Sequence, residues 1–211
     1  MSRPLDMGLS QIKSLLIKMG RLTMEALELS LKGFFDGEDT YVQNRAWSNT
    51  ILILSEEVED RATELMALHQ PMAGDLRTLK AYIKVAYDLE RFGRYAMDIS
   101  EIRNRIGGWE TIPDENGFRE MGEKTRECVA MSLEFIETMN ERLMWDMSRL
   151  EAETDELYLA NLGRLTESKM HGKTIIAYLL TIRYLERIAD HASYISESIS
   201  YAVTGKRVSL R

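Results

Sequence analysis

Two carboxylate pairs are the clearest chemical feature of this sequence. Glu151 and Asp155 lie four residues apart, as do Glu186 and Asp190. On a helix that spacing puts both side chains on one face. Met147 precedes Glu151 by one turn and Ile182 precedes Glu186, so each pair flanks an apolar stripe, at a seam where two helices could meet. Four acids converging there repel one another unless they are protonated or neutralised. A hard cation supplies the neutralisation, and oxygen-only ligation suits Mg²⁺, Mn²⁺, Ca²⁺ or ferric iron better than zinc. The competing reading is structural: such pairs are common on solvated faces, and Arg187 could neutralise its acidic neighbours. His191 follows Asp190 directly and projects about 100° around the helix, away from any shared ion.

The elements that must carry these residues are long amphipathic helices. Leu9, Ile12, Leu16, Met19, Leu22, Ala26 and Leu29 recur at spacings of three and four. So do Ile51, Leu54, Val58, Ala62, Leu65 and Leu68, and so does a run from Ile175 to Ile199. Each stripe must be covered by neighbouring helices. Phe35 to Asp39 ends the first helix, with Asp39 as a cap for the second. Pro71 ends the second or opens the third, fitting a first helical turn. Gly107-Gly108-Trp109 through Pro113-Asp114-Glu115-Asn116-Gly117 is the strongest break. A fourth helix is expected from about Gly117 to Thr138, Asn140 and Asp146 compete to start the fifth, and His171-Gly172 precedes the sixth.

The chain repeats itself. At an offset of 96 residues, seven of the thirteen positions from Leu89 to Glu101 are identical, and Leu89-Glu90-Arg91 returns as Leu185-Glu186-Arg187. The same offset carries Ser55 onto Glu151 and Glu59 onto Asp155. The expected fold is therefore all-α: two tandem three-helix bundles, residues 1–107 and 108–211, related by a pseudo-twofold. The third and sixth helices exceed thirty residues, roughly 45–50 Å at 1.5 Å per residue, so the molecule should be elongated. In the first copy Ser55 replaces Glu151 and Arg94 replaces Asp190, leaving Glu59 and Glu90. Arg94 is expected to pair with both as an internal counter-ion, and that half to hold no metal.

Composition narrows the function classes. The 211 residues include 13 Met, 13 Gly and 3 Pro, too few turn formers for a sandwich or barrel. A net charge of −7 argues against nucleic acid as a partner. Residues 1–107 hold 14 basic and 16 acidic side chains, net −2; residues 108–211 hold 13 and 18, net −5. The half that keeps four acids is the more acidic. Cys128 is the single cysteine and reads as a buried apolar residue. With no signal-peptide-like start and no apolar run long enough for a bilayer, the chain reads as soluble and cytoplasmic. A carboxylate-bridged di-metal enzyme needs Glu-x-x-His pairs, yet Met66, Ser168 and Ile188 stand three before His69, His171 and His191. The basic tail Gly205 to Arg211 reads as a frayed terminus or a contact for an acidic partner or membrane surface.

Gln70-Pro71-Met72-Ala73-Gly74-Asp75-Leu76-Arg77, then Asp88-Leu89-Glu90-Arg91-Phe92-Gly93, resembles the signature of the PhoU family of phosphate-uptake and phosphate-signalling regulators. Leu185 to His191 resembles the second repeat of that family, and His69 stands where an Arg is usual. The resemblance covers essentially the whole chain. It implies two three-helix bundles, no enzymatic reaction, and action through protein contacts with the cytoplasmic side of the phosphate import machinery. The implied partners are the phosphate-transporter ATPase subunit, a membrane sensor kinase, or both, with membrane association only through them. It also implies a metal motif, an acid followed four residues later by Asp on each of two helices, at Glu151, Asp155, Glu186 and Asp190, with iron or zinc clusters in some members. A helical scaffold without a phosphate link is the alternative, and monomer and homodimer both stay open.

Overall fold

Pro4 at the first helical position and Asp6, whose carboxylate accepts a hydrogen bond from the Arg3 backbone N–H at 3.1 Å, open helix α1 (Pro4–Asp36). The computed structural model describes residues 3–110, 112 and 115–210. Five further long helices follow: α2 (Tyr41–His69), α3 (Ala73–Ile106), α4 (Asn116–Thr138), α5 (Met144–Glu167) and α6 (Gly172–Thr204). Gly37 ends α1 and Gly205 ends α6 with φ of 83° and 74°, a left-handed cap that glycine adopts without a Cβ penalty. The break between halves falls between Ile106 and Asn116; its Thr111, Pro113 and Asp114 lie outside the described residues.

Several boundaries differ from the sequence expectation. Thr40, not Asp39, precedes α2, and its hydroxyl donates to Ser100 Oγ at 3.2 Å instead of capping. Pro71 follows the end of α2, where Gln70 has turned left-handed at φ 43°, and does not fit a first turn of α3, which starts only at Ala73. Asn140 caps a single short turn (Glu141–Leu143): its Oδ1 accepts from the Arg142 N–H at 3.2 Å, and Asp146 falls in the first turn of α5.

Helices α1, α2 and α3 pack on one another, as do α4, α5 and α6. Among the described residues α2 touches nothing in the second half and α5 nothing in the first. The two sets meet along α1–α4 and, most extensively, along α3–α6. The buried side chains of both sets form one continuous core, in which Leu89, Phe92, Leu185 and Ile188 are essentially inaccessible. Each such large apolar side chain contributes about 1.5–3 kcal/mol on leaving water.

The α3–α6 crossing carries the symmetry. Asp88 faces His191 and Tyr95 faces Tyr184, so the two helices run antiparallel. Adding the 96-residue offset turns positions 88 and 95 into 184 and 191. The two contacts therefore exchange under the repeat, and the pseudo-twofold passes between them, beside Arg91 and Arg187.

Cys128 lies on α4 with no exposed surface, and burial pushes its thiol up to about 12. A thiol held protonated is a poor nucleophile. Under native conditions at pH 8 it should not react with a disulfide reagent, and should titrate stoichiometrically in denaturant. Native labelling within minutes would contradict this burial.

A candidate metal centre and the helix seam beside it

Glu151 and Asp155 project from one face of α5, and Asp190 from α6 opposite them. One carboxylate oxygen of each lies within 4.8 Å of the others. Glu151 and Asp190 are 6% and 2% exposed, whereas Asp155 is open to solvent, so the cluster has two buried ligands and one at its mouth. Asp155 one turn after Glu151 is what the helical spacing requires. The fourth expected residue is not in this group. Glu186 turns back along α6, and both its oxygens accept from Arg183 Nη1 at 2.7 Å. Arg183 lies one turn before it on the same helix, and such a local ion pair needs no tertiary arrangement.

The three oxygens suit one hard cation, whose ligands lie 2.0–2.6 Å from the metal and so within about 5 Å of one another. A cation is already near: Arg187 Nη1 donates to Asp190 Oδ2 at 2.9 Å. Arg187 thus partly neutralises the cluster, as its position between Glu186 and Asp190 allowed. A metal ion bound here would supply the remaining positive charge and tie α5 to α6.

The first half behaves differently from the expectation. Arg94 is exposed and does not pair with Glu59 or Glu90; its Nε lies 3.7 Å from Asp98 Oδ1, one turn further along α3. Glu59 is solvent-exposed on α2. The nearest carboxylate on its own helix, not the one across the bundle, takes this guanidinium.

The seam next to the acidic cluster holds a pair that the sequence reading did not find. His191 does turn away from the Asp190 carboxylate, and its Nδ1 lies 2.8 Å from Asp88 Oδ1 across α3–α6. Asp88 is 1% exposed and His191 5%. Burial raises the Asp88 carboxyl above its ordinary value of 3.8, opposed by the hydrogen bond and charge of His191 and by Lys84. The available signal was a lone acid, Asp88, inside the stripe Val85–Leu89–Phe92. A polar residue in an apolar stripe must find a partner, but only the antiparallel crossing identifies it.

On the other side of the pseudo-axis Tyr95 and Tyr184 stack with centroids 5.8 Å apart. The Tyr95 hydroxyl accepts from Arg91 Nη2 at 3.1 Å, and the Arg187 guanidinium lies beside it. Burial would raise this phenol, but the two guanidiniums outweigh it and hold the phenol below its usual value of 10.0. Arg91 and Arg187 occupy the same repeat position, so one tyrosine ties the two copies together at their axis. Tyr95→Phe removes this acceptor and should cost about 1.5–3 kcal/mol, the range for hydrogen bonds to charged groups. Urea melts at constant pH measure it, and a loss below about 0.5 kcal/mol would mean the arginines are solvated.

Comparison with known proteins agrees with this architecture. The PhoU domain matches twice, over residues 16–103 and 118–199. A PhoU homologue of the phosphate-specific transport system from Synechocystis sp. is 27% identical over 206 residues, which span 96% of this chain and 92% of that protein. The corresponding accessory protein of Clostridium acetobutylicum is 26% identical over 211 residues, 97% and 96% of the two chains. Crystal structures of PhoU from Pseudomonas aeruginosa and of the phosphate transport system regulatory protein PhoU from Streptococcus pneumoniae superpose with TM-scores of 0.87. They are 23% and 21% identical; the matches cover 95% and 97% of this chain and 99% of each of theirs. With one domain match in each half of a six-helix chain whose halves are related about α3 and α6, this protein belongs to the PhoU family.

Proposed function

We propose that this chain is an accessory regulator of a phosphate-specific transport system, serving phosphate homeostasis without catalysing a reaction. The observation that carries it is the PhoU domain in both repeats, with full-length relatives named as accessory proteins of that system. Residues 1–107 and 108–211 form its two units. It works in the cytoplasm through the outer faces of its helices. Its partners are the transporter ATPase subunit, a membrane sensor kinase, or both, and it reaches the membrane through them. No helix is long and apolar enough to cross a bilayer among the described residues, in keeping with that role. Glu151, Asp155 and Asp190 bind a hard cation or zinc in the second unit, joined by Glu186 only if it releases Arg183. The first unit, with Ser55 and the exposed Arg94, holds none.

Deletion of the gene in the host should uncouple phosphate uptake from external phosphate, and the wild-type chain should restore the coupling. Unchanged uptake and unchanged phosphate-starvation signalling in the deletion strain would leave a helical scaffold without a phosphate link.

A further inference from the structure

At one end of the α3–α6 seam the chain leaves α6 at Gly205 and folds back against α6, with Arg207 and Val208 across a cleft from α3. The Leu210 N–H donates to Glu197 Oε1 at 3.0 Å, and the Leu210 side chain packs against the core. The tail expected to fray is therefore the wall of a cleft of about 300 Å³, lined by Lys80, Lys84, Ser198, Tyr201, Arg207 and Glu197 among others. Arg77 lies beneath the turn at Gly205, one helical turn before Lys80, and its Nε is buried without a hydrogen-bond partner. Arg77, Lys80 and Lys84 are spaced three and four apart, on one face of α3.

The charge here runs against the rest of the molecule. In a protein of net −7, Arg77, Lys80, Lys84 and Arg207 have no carboxylate within ion-pair distance among the described residues. Arg207 lies 5.8 Å from the centre of the Tyr201 ring and Lys84 the same distance from that of Tyr194. The lone acid in the lining, Glu197, has one oxygen committed to the Leu210 N–H. The repeat shows that these lysines are not required by the fold. At the 96-residue offset Lys80 becomes Ile176 and Lys84 becomes Leu180, both partly exposed at the opposite end of the same crossing. One end of a pseudo-symmetric seam is apolar where the other is cationic.

We propose that this cleft binds a small phosphate-bearing molecule carrying two or more negative charges. Lysine ammoniums are strong point-charge partners for phosphate oxygens and guanidiniums grip them in bidentate fashion. Three cations line the cleft and a fourth, Arg77, lies beside it, more positive charge than one carboxylate neutralises. The recess behind the anchored tail favours a molecule that enters it over a flat lipid surface. This site goes beyond the accessory reading, which requires no small ligand, and either can fail alone.

Titration calorimetry of the full chain with pyrophosphate, ATP and inorganic phosphate as separate probes tests it. Pyrophosphate or ATP should bind more tightly than inorganic phosphate, and binding should weaken as salt rises. Lys80→Ile/Lys84→Leu installs the residues that the other repeat carries and should weaken binding by at least about tenfold. Should that variant fold poorly, Lys80→Gln/Lys84→Gln serves the same purpose. Glu197→Gln keeps an acceptor for Leu210 while removing a like charge, so it should tighten binding, which a merely structural role would not do. Absence of binding by pyrophosphate and ATP, or binding unchanged in the lysine variants, overturns the site. Binding to phosphatidylglycerol vesicles without binding of any soluble probe also overturns it, making the face a membrane contact instead.

Discussion

His191→Ala should be among the most damaging single substitutions in this protein, costing about 3–5 kcal/mol. It leaves Asp88, 1% exposed, without the partner that lies 2.8 Å away, in the middle of the largest interface between the two halves. For a chain of this size each kcal/mol lowers Tm by about 2–4 °C, so a drop on the order of 10 °C is expected. Replacing both partners, as in Asp88→Leu/His191→Phe, should recover most of the loss, because an apolar pair leaves no buried polar atom unmet. The other side of the pseudo-axis already uses an aromatic pair, Tyr95 and Tyr184, at the corresponding positions. The raised Asp88 carboxyl also has a pH signature. Just above its ordinary value of 3.8 the folded chain keeps a proton that the unfolded chain releases, so this group's contribution to stability falls as pH rises through that window. Asp88→Asn should remove that slope. A His191→Ala protein melting within about 2 °C of wild type would mean that the pair does not hold the seam.

Hard cations should stabilise the wild type through Glu151, Asp155 and Asp190. A ligand at a hundred times its dissociation constant adds about 2.7 kcal/mol when it binds only the folded state, which at this chain length is a rise of roughly 5–10 °C. Melts of chelator-treated protein with and without Mg²⁺, Mn²⁺, Fe³⁺ or Zn²⁺ read the effect directly. Asp155→Asn is the cleanest test. That side chain is solvent-exposed, so its loss should leave the metal-free melt nearly unchanged while abolishing the shift. Asp190→Asn additionally frees Arg187 and should lower the metal-free melt as well. Glu186→Gln should leave the shift in place, since that carboxylate is held by Arg183. A shift that survives Asp155→Asn but vanishes in Glu186→Gln would reverse the assignment. Wild-type melts that ignore all four ions would leave these carboxylates neutralised by Arg187 alone.

What the sequence determined by itself is what depends on neighbours within a turn or two. The apolar stripes specify helices, and the 96-residue offset specifies two equivalent sets of three. The spacing of four places Glu151 and Asp155 on one face of α5 before any packing is known. Long-range partners were set by tertiary structure. The offset equates Arg91 with Arg187 but does not say that α3 and α6 cross antiparallel, and that crossing alone brings Asp88 to His191, 103 positions away. Glu186 and Asp190 share one face of α6, but only Asp190 closes on α5, because Arg183 draws Glu186 back along its own helix. Arg183 and Arg94 show why charge pairing resists prediction: each exposed guanidinium takes a carboxylate one turn away on its own helix, at less entropic cost than a partner across the bundle.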